Sequence, residues 1–266
     1  MTTNRLLEGF AAGRSSIGAW CVTGSPHAAE LLAVEGFDYV CADCQHGLMG
    51  YDAMIPVLQA VARSETTPVV RVARNDTGEI GKVLDGGAEA VIVPMVNSRT
   101  EAEQAVAACR YAPEGVRSFG PVRSGLFLGT DPILVNRQVA CLVMIETITA
   151  VGVADEICST SGVNGIYVGP ADLAVSMGMV PSFGSSSSKE HEDAIEAVRL
   201  ACRRAGIIAG IHTGGGEQAR ARLDQGFDMV TIATDAALLR ATARAELALA
   251  RGAGDAGSRR AGAAYS

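Results

Sequence analysis

The chain has 266 residues, of which 48% are hydrophobic and 19% charged, and its formal net charge is -7. This length suits one barrel domain of ~250 residues. The acidic balance, the 5% aromatic content and the lack of a Lys/Arg-rich run argue against nucleic-acid binding. No run of ~18 apolar residues indicates a membrane span. Seven Cys, mostly within apolar stretches, favour reduced thiols and a cytoplasmic protein.

Short apolar runs alternate along the chain with longer amphipathic stretches that often end at glycine. The eight runs are, in order, SIGAWCV, DYVCA, PVVRV, AVIVP, CLVMI, GIYVG, IIAGI and DMVTIA. Eight strand–helix units predict an α/β protein, specifically a (β/α)8 TIM barrel. We expect a single domain over residues 1–251 and a flexible Gly/Ala/Ser-rich tail over 252–266.

Two irregular segments interrupt this alternation. Residues 115–132 are rich in Gly and Pro and separate the fourth and fifth predicted strands, so we expect an insertion at the active site. Residues 185–188 are all serine, and we expect this polar patch to be mobile.

Polar side chains follow several predicted strands at the point where each strand ends. In a TIM barrel these carboxyl ends form one mouth, which carries the reacting groups. The candidates, in chain order, are Asp43, Gln45, His46, Arg71, Arg74, Glu146 and the segment Gly169-Pro170-Ala171-Asp172.

Glu146 closes an apolar strand, and Asp172 follows the next strand along the chain. A carboxylate in such surroundings must be paired or metal-bound to offset its desolvation. Two carboxylates without His or Cys beside them favour Mg²⁺ or Mn²⁺, with positions left for substrate oxygens and water. Zn²⁺ is a weaker candidate. The alternative is that Glu146 forms a salt bridge and Asp172 caps a helix.

Three further groups could contribute to a site. The backbone N–H groups of Ala171 and Asp172 start a helix and could bind a carboxylate. Arg71 could hold a 2-oxo acid and stabilise an enolate oxygen, or it could form a salt bridge across the mouth. His46 could act as a base with Asp43 or Asp85 as its carboxylate partner, or it could be structural.

Other motifs are weaker. Cys41 and Cys44 have CxxC spacing but no second pair, and they do not open a helix. The glycine-rich segment 212–216 follows the seventh strand, where it could bind phosphate or form a simple turn. The two lysines, Lys82 and Lys189, do not follow strands, which disfavours Schiff-base chemistry.

Taken together, the motifs resemble those of the HpcH/HpaI family of metal-dependent class II 2-oxo-acid aldolases, such as 4-hydroxy-2-oxoheptanedioate aldolase, over residues 16–240. The matching segments are Gly36-Phe37-Asp38-Tyr39, Asp43-Cys44-Gln45-His46-Gly47, Val70-Arg71-Val72, Asn75-Asp76, Leu84-Asp85-Gly86-Gly87, Val93-Pro94, Arg110-Tyr111-Ala112-Pro113, Ile145-Glu146-Thr147 and Gly169-Pro170-Ala171-Asp172-Leu173.

The resemblance implies a pyruvate-binding barrel with a divalent ion, most simply Mg²⁺ or Mn²⁺, with Co²⁺ or Zn²⁺ as alternatives. It implies that His46 and Asp85 form the base and that Arg71 stabilises the pyruvate enolate. The remaining implied roles are metal binding by Glu146 and Asp172, carboxylate binding by the backbone of Ala171 and Asp172, with Gly169 and Pro170 also in the substrate-binding segment, and a position near the aldehyde-derived hydroxyl for Asp43.

The chain departs from the family pattern at two positions that the resemblance places near the substrate. Gln45 stands where Glu is common, and Met144 stands where Gln commonly reaches the substrate.

The resemblance also implies a homo-oligomer, a hexamer built as a trimer of dimers, that exchanges its last helix between subunits. The segment DAALLRATARAELALARG is the candidate helix.

The implied reaction is the reversible cleavage of a 4-hydroxy-2-oxo acid into pyruvate, or a pyruvate-like acid, and an aldehyde. Its substrates are small molecules, and neither nucleic acid nor a membrane is involved. A decarboxylase of oxaloacetate-like acids and a lyase of CoA esters could use the same enolate. A non-catalytic protein that binds 2-oxo acids is the alternative from another class.

Overall fold

The computed structural model describes residues 4–181 and 188–252. Eight parallel strands pair in chain order and close into a barrel. All eight predicted strands are confirmed, and their bounds are β1 Ser16–Cys21, β2 Tyr39–Asp43, β3 Thr67–Arg71, β4 Ala90–Val93, β5 Ala140–Ile145, β6 Gly165–Val168, β7 Ile208–His212 and β8 Met229–Thr234.

Helices surround the barrel and return the chain from one strand to the next. Several begin at the expected capping residues; for example, the side chains of Ser25, Asp76 and Ser98 each accept a first-turn N–H bond. The helices are α1 Arg5–Ala11, α2 Pro26–Val34, α3 Tyr51–Val61, α4 Thr77–Asp85, α5 Arg99–Cys109, α6 Pro132–Gln138, α7 Ile148–Gly152, α8 Ala154–Cys158, α9 Pro170–Ser176, α10 Lys189–Ala205, α11 Gly216–Asp224 and α12 Asp235–Arg251.

Side chains fill the barrel interior, so the lumen is a packed core. Tyr39 and Tyr167 are fully buried, and their hydroxyl oxygens lie 2.8 Å and 2.6 Å from Oγ1 of Thr231. Gly18 makes room for this layer, because a Cβ at that position would overlap the Tyr39 ring. Trp20 lies next to Tyr167, with ring centroids 5.6 Å apart. A small molecule can therefore be held at the mouth but cannot pass through.

The segment 115–132 does not lie at the mouth of its own barrel, so the expectation of an active-site insertion there is wrong within one chain. It contains a 3-10 helix, Ser124–Leu126, and it packs where α4 ends. Arg117 Nη2 donates to Asp85 Oδ1 at 2.6 Å, and Arg123 Nη1 donates to the Gly86 carbonyl at 2.8 Å. Because α4 descends from the end of β3, this contact lies at the amino-terminal end of the strands.

The last helix, α12, projects from the barrel. Asp235 is 7% exposed, but every residue from Leu238 to Gly252 is exposed. No helix in the described part of the chain is long and apolar enough to cross a bilayer. Of the predicted mobile segments, residues 185–187 and 253–266 lie outside the described residues, and Ser188 caps α10.

Candidate active site

Arg71 and Asp43 form a buried ion pair at adjacent strand ends, where β2 and β3 place them side by side. Arg71 Nε and Nη2 donate to the two Asp43 oxygens at 2.9 Å and 2.6 Å. Burial acts to raise the pKa of Asp43, but the hydrogen bond and charge of Arg71 outweigh it, and the pKa is lowered. The pair fixes the guanidinium in one orientation and leaves its Nη1 outside the pair.

Asp43 also shapes the loop that carries His46. Its Oδ1 accepts the backbone N–H groups of Gln45 and His46, at 3.0 Å and 3.2 Å. Asp43 is 1% exposed, and both of its carboxylate oxygens accept hydrogen bonds within the protein. The structure shows that Asp43 orients Arg71 and the loop, and its position near the aldehyde-derived hydroxyl stays a prediction.

His46 is exposed at the mouth. Partial burial and the positive charge of Arg71 lower its pKa, against the opposite effects of Asp43 and Asp172. The imidazole is therefore neutral near pH 7 and able to accept a proton. Gln45 beside it is half-buried, and its Oε1 has no hydrogen-bond partner among the described residues.

Glu146 follows β5 and is only 2% exposed. Its Oε1 accepts the backbone N–H of Met95 at 2.7 Å. Met95 adopts the left-handed conformation, with φ of 57°, which is uncommon for a residue other than glycine. Burial raises the pKa of Glu146 to about 7; the Met95 bond and Arg71 act against this, and the charge of Asp172 adds to it.

The segment that begins at Gly169 closes around this carboxylate. A Cβ at Gly169 would lie 2.6 Å from Glu146 Oε2 and 3.0 Å from Met144 Cε, so a larger residue there would have to displace the Glu146 carboxylate. Asp172 is exposed in the first turn of α9. His191 of α10 donates from Nε2 to the Pro170 carbonyl at 2.8 Å and holds this turn in place. The sequence analysis missed His191 because its partner lies 21 residues away.

The pair Glu146 and Asp172 fits a divalent cation. A buried carboxylate whose pKa is raised by burial and by a second carboxylate is stabilised when a cation binds between them. Oxygen donors of this kind suit Mg²⁺ or Mn²⁺. Among the residues that the structure describes, no group of three or more His, Cys, Asp or Glu could hold a metal ion. With Glu146 and Asp172 as its protein ligands, such an ion would have positions left for substrate oxygens and water.

Met144 lies in the barrel interior below this pair, at 2% exposure, and gives the site an apolar floor. Trp20, which the sequence analysis did not single out, extends this floor: the Arg71 guanidinium carbon lies 4.5 Å from the centre of its ring. The alternation in SIGAWC could have identified Trp20 as an inward-facing residue near the end of β1.

Asp85 is not part of this cluster within one chain. It ends α4 and pairs with Arg117, at the amino-terminal end of β4, whereas His46 follows the carboxyl end of β2. A strand of five residues separates such positions by roughly 15 Å. The topology therefore does not bring His46 and Asp85 together within one subunit, and their pairing stays a prediction.

The weaker motifs are absorbed by ordinary structure. In the glycine-rich turn, Gly214 N–H donates to the Gln218 side chain at 2.8 Å, which favours a simple strand-to-helix turn over a phosphate site. Burial raises the pKa of Cys44 to about 12 and raises the pKa of Cys41 well above its ordinary value, which disfavours thiolate chemistry. Lys82 contacts the Tyr51 ring at 4.1 Å, and Lys189 pairs with Asp193 at 2.6 Å.

The fold and the mouth together define a TIM-barrel enzyme with an arginine, a neutral histidine and paired carboxylates suited to oxo-acid chemistry. The chain belongs to the HpcH/HpaI aldolase/citrate lyase family, whose model matches residues 16–242. It is 39% identical over 250 residues to a hydroxypyruvate/pyruvate aldolase of Rhizorhabdus wittichii, covering 93% of this chain and 99% of that protein.

Two further comparisons agree. The chain is 36% identical over 251 residues to a 4-hydroxy-2-oxo-heptane-1,7-dioate aldolase of Escherichia coli, covering 93% of this chain and 94% of that protein. A crystal structure of an HpcH/HpaI aldolase/citrate lyase family protein from Burkholderia cenocepacia superposes with a TM-score of 0.88 at 31% identity, over 94% of this chain and 100% of that one. The predicted family, barrel fold and aldolase class, which is that of a carbon–carbon lyase, are confirmed.

Proposed function

We propose that the protein is a metal-dependent aldolase that cleaves a 4-hydroxy-2-oxo acid into an aldehyde and pyruvate or a pyruvate-like acid such as hydroxypyruvate. The observation that carries this proposal is that Arg71 ends β3, Glu146 follows β5 and Asp172 lies in the first turn of α9 after β6, so all three stand at the carboxyl ends of the strands. The charges of Asp172 and Arg71 also act on the pKa of the buried Glu146. The relatives' aldolase activities support the reaction type.

Glu146 and Asp172 would hold the divalent ion, with Mg²⁺ or Mn²⁺ preferred by their oxygen ligands. When bound, the ion would act as a Lewis acid that polarises the 2-oxo group and so would stabilise the negative charge that develops on its oxygen. The N–H groups of Ala171 and Asp172 at the start of α9 would receive the substrate carboxylate, with Gly169 and Pro170 forming the turn.

The protein's own groups divide the reaction between them. In cleavage, His46 accepts the proton of the C4 hydroxyl, the C3–C4 bond breaks, and its electron pair becomes the enolate of the three-carbon acid. Arg71, held by Asp43, faces the enolate oxygen and stabilises its charge. Gln45 and Met144 line the site beside these groups.

We infer that Asp85 acts on His46 of a second copy of the chain. Around Asp85, the segment 115–132 exposes the apolar side chains Val116, Phe119, Val122 and Leu126, at 65%, 57%, 89% and 83%. Helix α12 exposes Leu239 and Leu249, at 71% and 74%. These two surfaces support a homo-oligomer, which we propose is a hexamer that exchanges α12 between subunits.

The seven free cysteines support a location in the reducing cytoplasm.

The test is aldehyde release from 4-hydroxy-2-oxo acids by protein stripped of metal with EDTA and then reloaded with Mg²⁺ or Mn²⁺. We expect stripping to lower kcat by on the order of 10³-fold or more and reloading to restore it. Full activity in stripped protein would refute the metal-dependent mechanism. Release of CO₂ from oxaloacetate without any aldehyde release would assign a decarboxylase instead.

A further inference from the structure

His212 occupies an inward-facing position at the mouth that the proposed mechanism does not use. Along β7 the positions alternate, and Ile208, Gly210 and His212 share the inner face, with Gly210 against the Tyr167 ring in the lumen. His212 is the last residue of the strand and is partly exposed, so its ring stands where β7 opens into the site.

The ring is fixed by Trp20. The two ring centroids are 4.9 Å apart and the planes meet at 81°, which is an edge-to-face contact. Arg71 also contacts Trp20, with its guanidinium carbon 4.5 Å from the centre of the indole. His212 and Arg71 therefore share one aromatic support, and a substrate that Arg71 holds lies within reach of the imidazole.

The chemistry of the imidazole is that of a neutral hydrogen-bonding group. Burial lowers the pKa of His212 to about 4; the positive charge of Arg71 adds to this, and Asp43 acts weakly against it. A neutral imidazole offers one N–H donor and one nitrogen acceptor. Among the described residues, neither ring nitrogen has a hydrogen-bond partner in the protein. A hydroxyl group can donate one hydrogen bond and accept another, so it is the simplest substrate group that can pair with the imidazole.

We propose that His212 is a specificity-determining residue that hydrogen-bonds a hydroxyl group on the carbon chain of the substrate, so that the site prefers hydroxylated substrates over their unsubstituted counterparts. The hydroxyl has two possible sources: the three-carbon acid, as in hydroxypyruvate against pyruvate, or the aldehyde, as in glycolaldehyde against acetaldehyde. This inference rests on the proposed function, since Arg71 must hold the oxo acid.

The experiment compares wild type with His212→Leu, which removes both polar atoms, and His212→Asn, which keeps a donor and an acceptor. His27→Leu is the matched control, because His27 is an exposed residue that pairs with Glu30 on the surface helix α2. One arm measures kcat/KM for hydroxypyruvate and pyruvate with propionaldehyde. The other measures it for glycolaldehyde and acetaldehyde with pyruvate. All assays use Mg²⁺-loaded enzyme.

Loss of one neutral hydrogen bond lowers preference by about 3- to 10-fold. We expect His212→Leu to reduce the ratio of hydroxylated to plain substrate by this factor in one arm, which identifies the source of the hydroxyl, and His212→Asn to restore part of it. An unchanged ratio in both arms would overturn the proposal, as would a similar loss in His27→Leu. If His212→Leu does not fold, His212→Phe replaces it, because Phe keeps a ring but has no polar atom. A reduced ratio of hydroxylated to plain substrate in His212→Phe, with the ratio kept in His212→Asn, supports the proposal. An unchanged ratio in His212→Phe overturns it.

A binding measurement separates this inference from the proposed function. The chain has one Trp, and it is the residue that His212 contacts, so its fluorescence reports directly on the site. Titration with hydroxypyruvate and with pyruvate, without aldehyde, gives the binding preference even if turnover is absent. Lack of aldehyde release by wild type would refute the aldolase proposal alone. The role of His212 alone would be refuted if His212→Leu changed the affinity for hydroxypyruvate and pyruvate equally and left the ratio of kcat/KM for glycolaldehyde to that for acetaldehyde unchanged.

Discussion

Replacing Glu146 with Gln should stabilise the metal-free protein above pH 7 while it abolishes metal binding. Glu146 is 2% exposed and its pKa is raised from 4.5 to about 7, chiefly by burial. The folded protein therefore binds this proton more tightly than the unfolded chain does. As the pH rises from 4.5 to 7 the metal-free protein loses stability, and above pH 7 the full cost of the buried charge is present.

The magnitude follows from the size of the pKa change. Each pH unit corresponds to about 1.36 kcal/mol, so an increase from 4.5 to about 7 is worth roughly 3 kcal/mol as an upper bound. A Gln side chain can still accept the Met95 N–H bond, which is 2.7 Å long in the wild type. It removes the repulsion from Asp172 but forms a weaker bond, so we expect a net gain of about 1–3 kcal/mol. For a domain of this size that corresponds to roughly 3–10 °C in Tm.

The assay is thermal and denaturant unfolding of wild type and Glu146→Gln in EDTA at pH 8 and at pH 5. The gain should shrink at pH 5, where the wild-type side chain holds its proton. Added Mg²⁺ should raise the Tm of wild type and leave the variant unchanged. Two results would refute the conclusion that burial destabilises the charged form of Glu146. One is a variant that is less stable than wild type at pH 8 in EDTA, and the other is a gain in stability that is equal at both pH values.

Four other predictions concern the same mouth. Metal affinity measured by calorimetry should weaken by about tenfold for each pH unit below 7, because a proton on Glu146, whose pKa is about 7, competes with the ion. Gly169→Ala should weaken metal binding without unfolding the barrel, because its Cβ would lie 2.6 Å from a Glu146 oxygen. Gly152→Ala is the control, because a Cβ there would have no atom within 4 Å. Equal metal affinity in the two variants would contradict the proposed role of Glu146. Asp43→Asn should cost about 3 kcal/mol in denaturant unfolding, because it leaves Arg71 buried at 6% exposure without its counter-charge. Arg71→Lys should lower kcat by about 10²-fold in steady-state kinetics, because an ammonium cannot pair with Asp43 and face the enolate at once; an unchanged kcat would remove that role.

Much of this protein could be predicted from its sequence because the rules that place strands are local. Each buried strand is a short apolar run, and chain order alone brings the carboxyl ends of parallel strands to one mouth. The positions of Arg71, Glu146 and Asp172 followed from this topology, and the family resemblance added the proposed roles. The same topology also assigns Asp85, at the end of a helix, to the opposite end of the barrel. The resemblance pairs Asp85 with His46 without saying which copy of the chain supplies each residue.

The tertiary structure alone decided how these groups are shared. A sequence shows that Asp43 and Arg71 reach the mouth, but only the packing of β2 against β3 directs the carboxylate to the guanidinium. The pKa of Glu146 depends on burial and on a backbone N–H supplied by a different loop. The edge-to-face contact between Trp20 and His212 joins residues from β1 and β7. Such contacts join residues far apart in the chain, and their distances and orientations are fixed only when the barrel closes.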